Sequence, residues 1–301
     1  MSIFSFTAHF GSEEACRKHF KEQRDKIGVV CKCGHNEHFW IKSIWTYECK
    51  KCRSRTSLRS GTIMQNSNLS FLIWFKTMFL MSATKKGFST KEIQKQLGLK
   101  RYEPVWAMVH KLRKAIGDRD SRYTLEGMIE FDEGYFTVES SELEQEKGIR
   151  GRGSVGKQNV AIMAESTPLE NLETGKTSNQ VRYFKAKVLE THLSAEINET
   201  IKESIDNQSI VFTDKSTSYV DISDFVELHI TEKSDKQTTK ETLKWVHITI
   251  SNAKRNLLGN YHKIKRKYLQ LYLNEFIYKL NRRYFGEKLF DRLIIANINA
   301  L

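Results

Sequence analysis

The order of patterns along the chain predicts a multidomain α/β protein: an N-terminal zinc ribbon, then a helix-turn-helix, then a mixed α/β domain. Three observations carry this. Cys31, Cys33, Cys49 and Cys52 lie close together among short aromatic, strand-like segments. A capped helix, a glycine turn and a second helix follow, all rich in Lys and Arg. Beyond Arg119 the pattern becomes three strands, a helix, a strand and further helix, the order of an α/β domain with a mixed sheet. The boundaries read from these shifts are 1–64, 65–120 and 121–301.

The first segment opens with SEEACRKHFKEQRDKI at 12–27, at helical spacing, with Ser12 as N-cap ahead of Glu13 and Glu14. Cys16 within it reads as a small buried hydrophobe. The four remaining cysteines have the donor chemistry of a structural Zn²⁺ site, which would hold together a segment too small for its own core. The second pair is the ordinary C-x-x-C knuckle. The first is C-x-C, one residue short, which leaves three readings: a strained knuckle that still binds, His35 or His38 in place of a sulfur, or a decayed site.

The run from Phe71 to Ser82 is apolar on nearly all sides, the mark of a buried helix. Lys76 interrupts it, and it falls well short of the roughly 20 residues needed to span a bilayer. Ser89 and Glu92 form an S-x-x-E capping box for a helix ending near Gly98. Pro104 suits the first turn of the next, VWAMVHKLRKAIG. Such a pair has the spacing of a helix-turn-helix, whose last helix would enter the major groove with Lys111, Arg113 and Lys114 as phosphate contacts. The bland alternative is a helical bundle with a solvated basic face. Between Lys85 and Arg119 there are ten basic residues against three acids.

In the last segment, MIEFDEGYF, NVAIMAES and VRYFKAKVL read as strands, SAEINETIKESI as a helix and IVFTD as a buried strand. The polar stretch 139–156 reads as a hairpin loop. Its GRGSVGKQ misses the phosphate-binding loop, because Gln158 lacks the hydroxyl that loop needs and a strand follows. Asp132 lies within a strand and Asp214 at a strand end, with Glu130 and Glu133 near enough to compete with Asp132. Alone, each is more often a cap or turn residue. Together they fit Mg²⁺ or Mn²⁺, which take few protein carboxylates and leave positions for water and phosphate. On the helical pattern from Trp245, His247 and Lys254 stand two turns apart on one face. The apolar pattern from Tyr268 to Leu280 reads as core or dimer interface.

Net charge of +13 and a pI near 9.4 point to a polyanion, nucleic acid before anionic membrane. The excess is clustered: Lys244 to Arg292 holds twelve Lys/Arg against three acids, Lys254 and Arg255 among them. No signal peptide is visible at Met1, and the close cysteine pairs read as metal ligands rather than disulfides, so the expected compartment is reducing cytoplasm.

These motifs, in this order, resemble the bacterial insertion-sequence transposases of the ISXO-like group in the DDE superfamily. The likeness begins with the cysteine ribbon, RTSLRSGT at 55–62 and the helix pair. It continues through IEFDEGYF at 129–136, VFTD at 211–214, WVHITISNAKRNLLGNYHKI at 245–264 and YLNEFIYKLNRR at 272–283. The resemblance implies a ribonuclease-H-like catalytic domain and a two-metal polynucleotidyl transferase. By position Asp132 is similar to the family's first catalytic carboxylate and Asp214 to its second. The third, usually acidic, falls on His247, with Lys254 as its basic partner. Imidazole binds Mn²⁺ well but is a poorer Mg²⁺ ligand than carboxylate. The implied partners are double-stranded DNA, as terminal inverted repeats and as target, and a homodimer or higher oligomer. Two rivals differ in class: a ribonuclease-H-like nuclease that cuts without joining, and a domesticated DNA-binding regulator whose site decayed at position 247.

Overall fold

A computed structural model describes residues 2–139, 156–170, 177–191, 193–233, 242–261, 264–283, 286 and 288–298. The expected hairpin loop lies outside them except at its ends. Two compact units form, one from Met1–Arg119 with Arg282–Leu301, the other from Asp120–Asn281.

In the first unit, α1 (Ile3–Phe10) and α2 (Glu13–Ile27) start on the hydroxyls of Ser2 and Ser12, as the sequence predicts for the second. Cys16 is fully buried, and burial pushes its thiol up to about 12. The ribbon is a three-stranded antiparallel sheet, β1 (His38–Ile41), β2 (Thr46–Cys49) and β3 (Arg55–Ser57). Helix α3 (Phe71–Ala83) buries side chains around most of its circumference, from Phe71 and Trp74 to Met81. Its first turn is capped by Ser70 and by the Glu13 carboxylate, which accepts from Phe71 N and Leu72 N at 3.1 and 2.8 Å. Helix α4 (Thr90–Leu97) carries the full Ser89/Glu92 capping box and stops at Gly98, whose φ of 65° is the left-handed cap glycine favours. Helix α5 (Glu103–Asp120) follows.

The second unit is a five-stranded mixed sheet of β4 (Met128–Thr137), β5 (Lys157–Glu170), β6 (Thr177–Leu189), β7 (Ile210–Asp214) and β8 (Leu228–Glu232), in the order β6-β5-β4-β7-β8. The first three pair antiparallel, while β4, β7 and β8 run parallel. Gln158 lies buried within β5, so a strand does follow the glycine-rich stretch. Helix α6 (Ser194–Ser204) and a short 3₁₀ turn around Tyr219 cover one face, over Ile129, Phe131 and Val211. Helices α7 (Lys244–Asn260) and α8 (Leu269–Asn281) cover the other through Val246, Ile250, Leu269, Leu273 and Ile277. Tyr278, Leu269 and Leu273 are buried within this unit, so the apolar pattern of α8 is core. Strand β8 has no counterpart in the sequence reading.

The final helix, α9 (Lys288–Ile298), falls in the first unit rather than with the segment 121–281 that precedes it. The physical reason is aromatic packing: Phe290 sits 5.7 Å from Phe6, 5.3 Å from Phe10 and 5.9 Å from Phe75, centroid to centroid. The expected segments 1–64 and 65–120 likewise share one unit.

Candidate active site and metal centres

Side chains alternate across a strand, so β4 sends Ile129 and Phe131 to the α6 side and Glu130, Asp132, Gly134 and Phe136 toward α7. In the parallel pairing Glu130 stands opposite Phe212, and two residues further along both strands come Asp132 and Asp214. Both carboxylates therefore rise on the α7 side, at the end of β7. There the first turn of α7 brings His247, whose Nε2 is 3.7 Å from Asp132 Oδ2. The structure thus brings Asp132, Asp214 and His247 together from positions spread over more than a hundred residues.

Burial dominates the electrostatics. Asp132, with 15 % of its side chain exposed, is pushed up to about 7 by desolvation, opposed by the Glu133 N–H on its Oδ1 (2.8 Å) and raised further by the Asp214 and Glu133 charges. Lys254, exposed two turns along α7, pulls the other way on Asp132, its ammonium 5.7 Å from the Phe136 ring centre. Desolvation holds His247 below the usual imidazole range although Asp214 favours its charged form. The ring is therefore neutral at pH 7, with a lone pair to donate. Asp214 Oδ1 accepts from Ser216 N at 3.1 Å. Beneath it, the Thr213 hydroxyl donates to the Asp214 carbonyl at 2.9 Å and lies 2.8 Å from His229 Nε2.

Carboxylate and imidazole are donor types that a divalent cation takes, although among the described residues only the four cysteines bring three or more ligand atoms within 4.8 Å of one another. Two carboxylates and an imidazole face one another, and a bound cation would offset the desolvation, and with it the smaller like-charge repulsion, that raises Asp132. The 3.7 Å gap is too long for a hydrogen bond, but falls within the roughly 3–4 Å that separates neighbouring donors on one ion.

The competing acids have other partners. Glu130, 3 % exposed and pushed up to about 7 by desolvation, accepts from Trp245 N (2.7 Å) and Val246 N (3.0 Å) through one oxygen. Glu133 projects to the opposite face, where Asn159 donates to it and the Tyr219 hydroxyl is bonded to it. The surrounding carboxylates and burial keep that phenol protonated. The sequence signal for Glu130 was its i, i+2 spacing from Asp132, which puts both on one face of a strand.

In the ribbon all four thiols meet: the Sγ atoms lie within 4.8 Å of one another, with 3.5 Å between Cys31 and Cys52 and 3.7 Å between Cys33 and Cys49. A tetrahedral Zn–S₄ site with ~2.3 Å bonds has edges of roughly 3.8 Å, so the cluster could hold a zinc ion. The short C-x-C is accommodated by a tighter turn. Gly34 N closes onto Cys31 O at 2.9 Å with φ of 82°, whereas in the longer knuckle Arg53 N closes onto Cys49 O at 3.0 Å. His38 lies in β1 with Nδ1 on Asn36 O, so four sulfurs rather than a histidine make the set. Backbone donors from Cys52 and Lys51 hold the Cys49 thiol down to about 6, while hydrogen bonding within the cluster pushes Cys52 up to about 12, so without metal the negative charge settles on Cys49.

The basic residues divide. Lys111 and Lys114 are exposed on α5, Lys111 reaching Gln65 O at 3.2 Å. Arg113 is fully buried, on the side of the helix that carries Val109, Leu112 and Ile116, so it is an interior residue and not the DNA contact expected from the sequence. Arg255 is exposed and holds Asn252 Oδ1 at 2.6 Å.

Residues 124–281, just over half of the chain, match the ISXO2-like transposase domain. No curated protein matches the chain. Among the described residues, no helix is long and apolar enough to cross a membrane.

Proposed function

Since the chain belongs to the ISXO2-like transposases, we propose that it binds the terminal inverted repeats of its own element, cuts at their ends and joins the freed 3′ hydroxyls to target DNA. The observation that carries this reading is the convergence of Asp132 and Asp214, from neighbouring parallel strands, on His247. These three side chains would hold Mg²⁺ or Mn²⁺ in a ribonuclease-H-like, two-metal arrangement. Bound there, such ions supply Lewis acidity for the attacking and leaving oxygens of an in-line phosphoryl displacement. Lys254, and Arg255 beside it, are the cations facing the DNA backbone near the scissile bond.

In cleavage, water forms a bond to phosphorus as the bond to the 3′ oxygen breaks. In joining, that 3′ hydroxyl attacks a target phosphodiester and displaces its 3′ oxygen, so one phosphodiester replaces another. No covalent protein nucleophile is required. The ribbon is proposed to carry structural Zn²⁺, and α4 with α5 to act as a helix-turn-helix on the repeats, in a dimer or higher oligomer.

Incubation of the full chain with its element ends and Mn²⁺ or Mg²⁺, scoring cleavage and joining separately, tests the reading. Both products are expected. Cleavage without joining would mark a nuclease, and binding without cleavage a regulator.

A further inference from the structure

Helix α7 enters its first turn without a local cap. Its N-cap is Leu243, which offers no side-chain acceptor, and there is no acid in the turn that follows. The first N–H groups of a helix need partners when buried. Here Val246 is fully buried and Trp245 half-buried, and both donate to a single carboxylate oxygen from 115 and 116 residues earlier in the chain, Glu130 Oε2 on β4. Asp132 is the next residue along β4 on the same face, and His247 immediately follows the two capped residues. A second fixed point lies just beyond, where Gly134 lets Ile250 approach so closely that a Cβ there would stand 3.1 Å from its Cγ2. The 3.7 Å separation of His247 and Asp132 is thus set between two contacts that join the same strand to the same helix.

We propose that Glu130 is a positioning residue for this site: by capping α7 from β4, it holds the His247 imidazole in register with the Asp132 carboxylate. The inference rests on the site proposed above. Its logic is that of a partner behind a metal ligand, whose loss leaves the ligand present but misplaced.

The test uses the full chain carrying Glu130→Ala, Glu130→Asp or Glu130→Gln. Readouts are amide hydrogen exchange over 244–250, Mn²⁺ affinity by electron paramagnetic resonance, and cleavage of element ends. Alanine removes the acceptor, and aspartate is one methylene too short to serve both N–H groups. Both should speed exchange in that turn and weaken Mn²⁺ binding by about 10–100-fold, with end binding retained. Glutamine keeps the oxygen and should stay within about fivefold of wild type, since only the charge opposite the helix dipole is removed. If the alanine chain does not fold, the contrast between aspartate and glutamine decides. Wild-type Mn²⁺ affinity in Glu130→Asp and Glu130→Ala, with affinity abolished in Asp132→Ala, overturns the positioning role alone. Wild-type affinity in Asp132→Ala as well overturns the site, and the positioning role with it.

Discussion

At the scale of single residues the proposed chemistry turns on His247, an imidazole at the position where the family resemblance implies an acidic ligand. Asp132→Ala, Asp214→Ala and His247→Ala should each abolish cleavage while leaving binding to element ends within about twofold, because each removes a ligand and none is a surface cation. His247→Glu is the more telling change. It supplies the oxygen donor that Mg²⁺ prefers and should shift the metal preference from Mn²⁺ toward Mg²⁺. Cleavage by His247→Ala at the wild-type rate would remove it from the ligand set. Asp132 makes a separate prediction about pH. Its folded value of about 7 lies above the ordinary 3.8, so the metal-free fold favours the protonated acid. Stability from this group is therefore present at low pH and lost as pH rises through about 7, by a few kcal/mol at most. Metal-free Asp132→Asn should accordingly melt higher than wild type at pH 8, and the difference should shrink by pH 5.5. Saturating Mn²⁺ should reverse the order at pH 8, because only wild type gains a metal ligand there. Equal melting curves at both pH values would show that Asp132 is not held protonated.

Elements were legible in the sequence where their determinants are local. The Ser89/Glu92 box, the Ser12 cap and the all-round apolar run of α3 each lie within a few residues, and each appears as read. What failed was what the tertiary structure decides. Arg113 sits in a basic stretch, yet its facing is set by packing that periodicity alone did not resolve. Strand β8, Leu228–Glu232, is a short edge strand with little apolar alternation. The cap of α7 comes from another element altogether. Asp132 and Asp214 were recognisable, but only the β4–β7 register puts them side by side. Two predictions belong to this scale. Gly134→Ala would place a Cβ 3.1 Å from Ile250 and 3.2 Å from Phe136, so it should cost about 1–3 kcal/mol and reduce cleavage by displacing α7. In an Ile250→Ala background, which lacks both γ carbons that the new Cβ would meet, Gly134→Ala should cost less in both, and an equal cost would mean that this close approach is not the cause. The ribbon should bind one zinc per chain, measurable in protein purified without added metal. Zinc retained after Cys49→Ser and Cys52→Ser together would place it elsewhere.

Over the whole molecule, a net charge of +13 favours DNA without saying which surface meets it. The first unit narrows the choice, because α5 exposes Lys111 and Lys114 while enclosing Arg113 between them. Helix α4, Gly98 and α5 supply the order of a helix-turn-helix, and on that reading the two lysines contact phosphates while the arginine supports the helix that presents them. The two roles separate experimentally. Lys111→Ala with Lys114→Ala should leave the melting temperature nearly unchanged, weaken binding to element ends, and flatten the dependence of log K on log salt by roughly one unit for each phosphate that is no longer neutralised. Arg113→Ala should instead lower the melting temperature, since it empties a fully buried position, and should leave the salt slope of the folded fraction as in wild type. Binding by the double-lysine variant with wild-type affinity and slope would move the DNA-reading surface away from α5. A flattened slope in Arg113→Ala at unchanged stability would mean that the side chain swings out to meet DNA, contrary to its enclosed position.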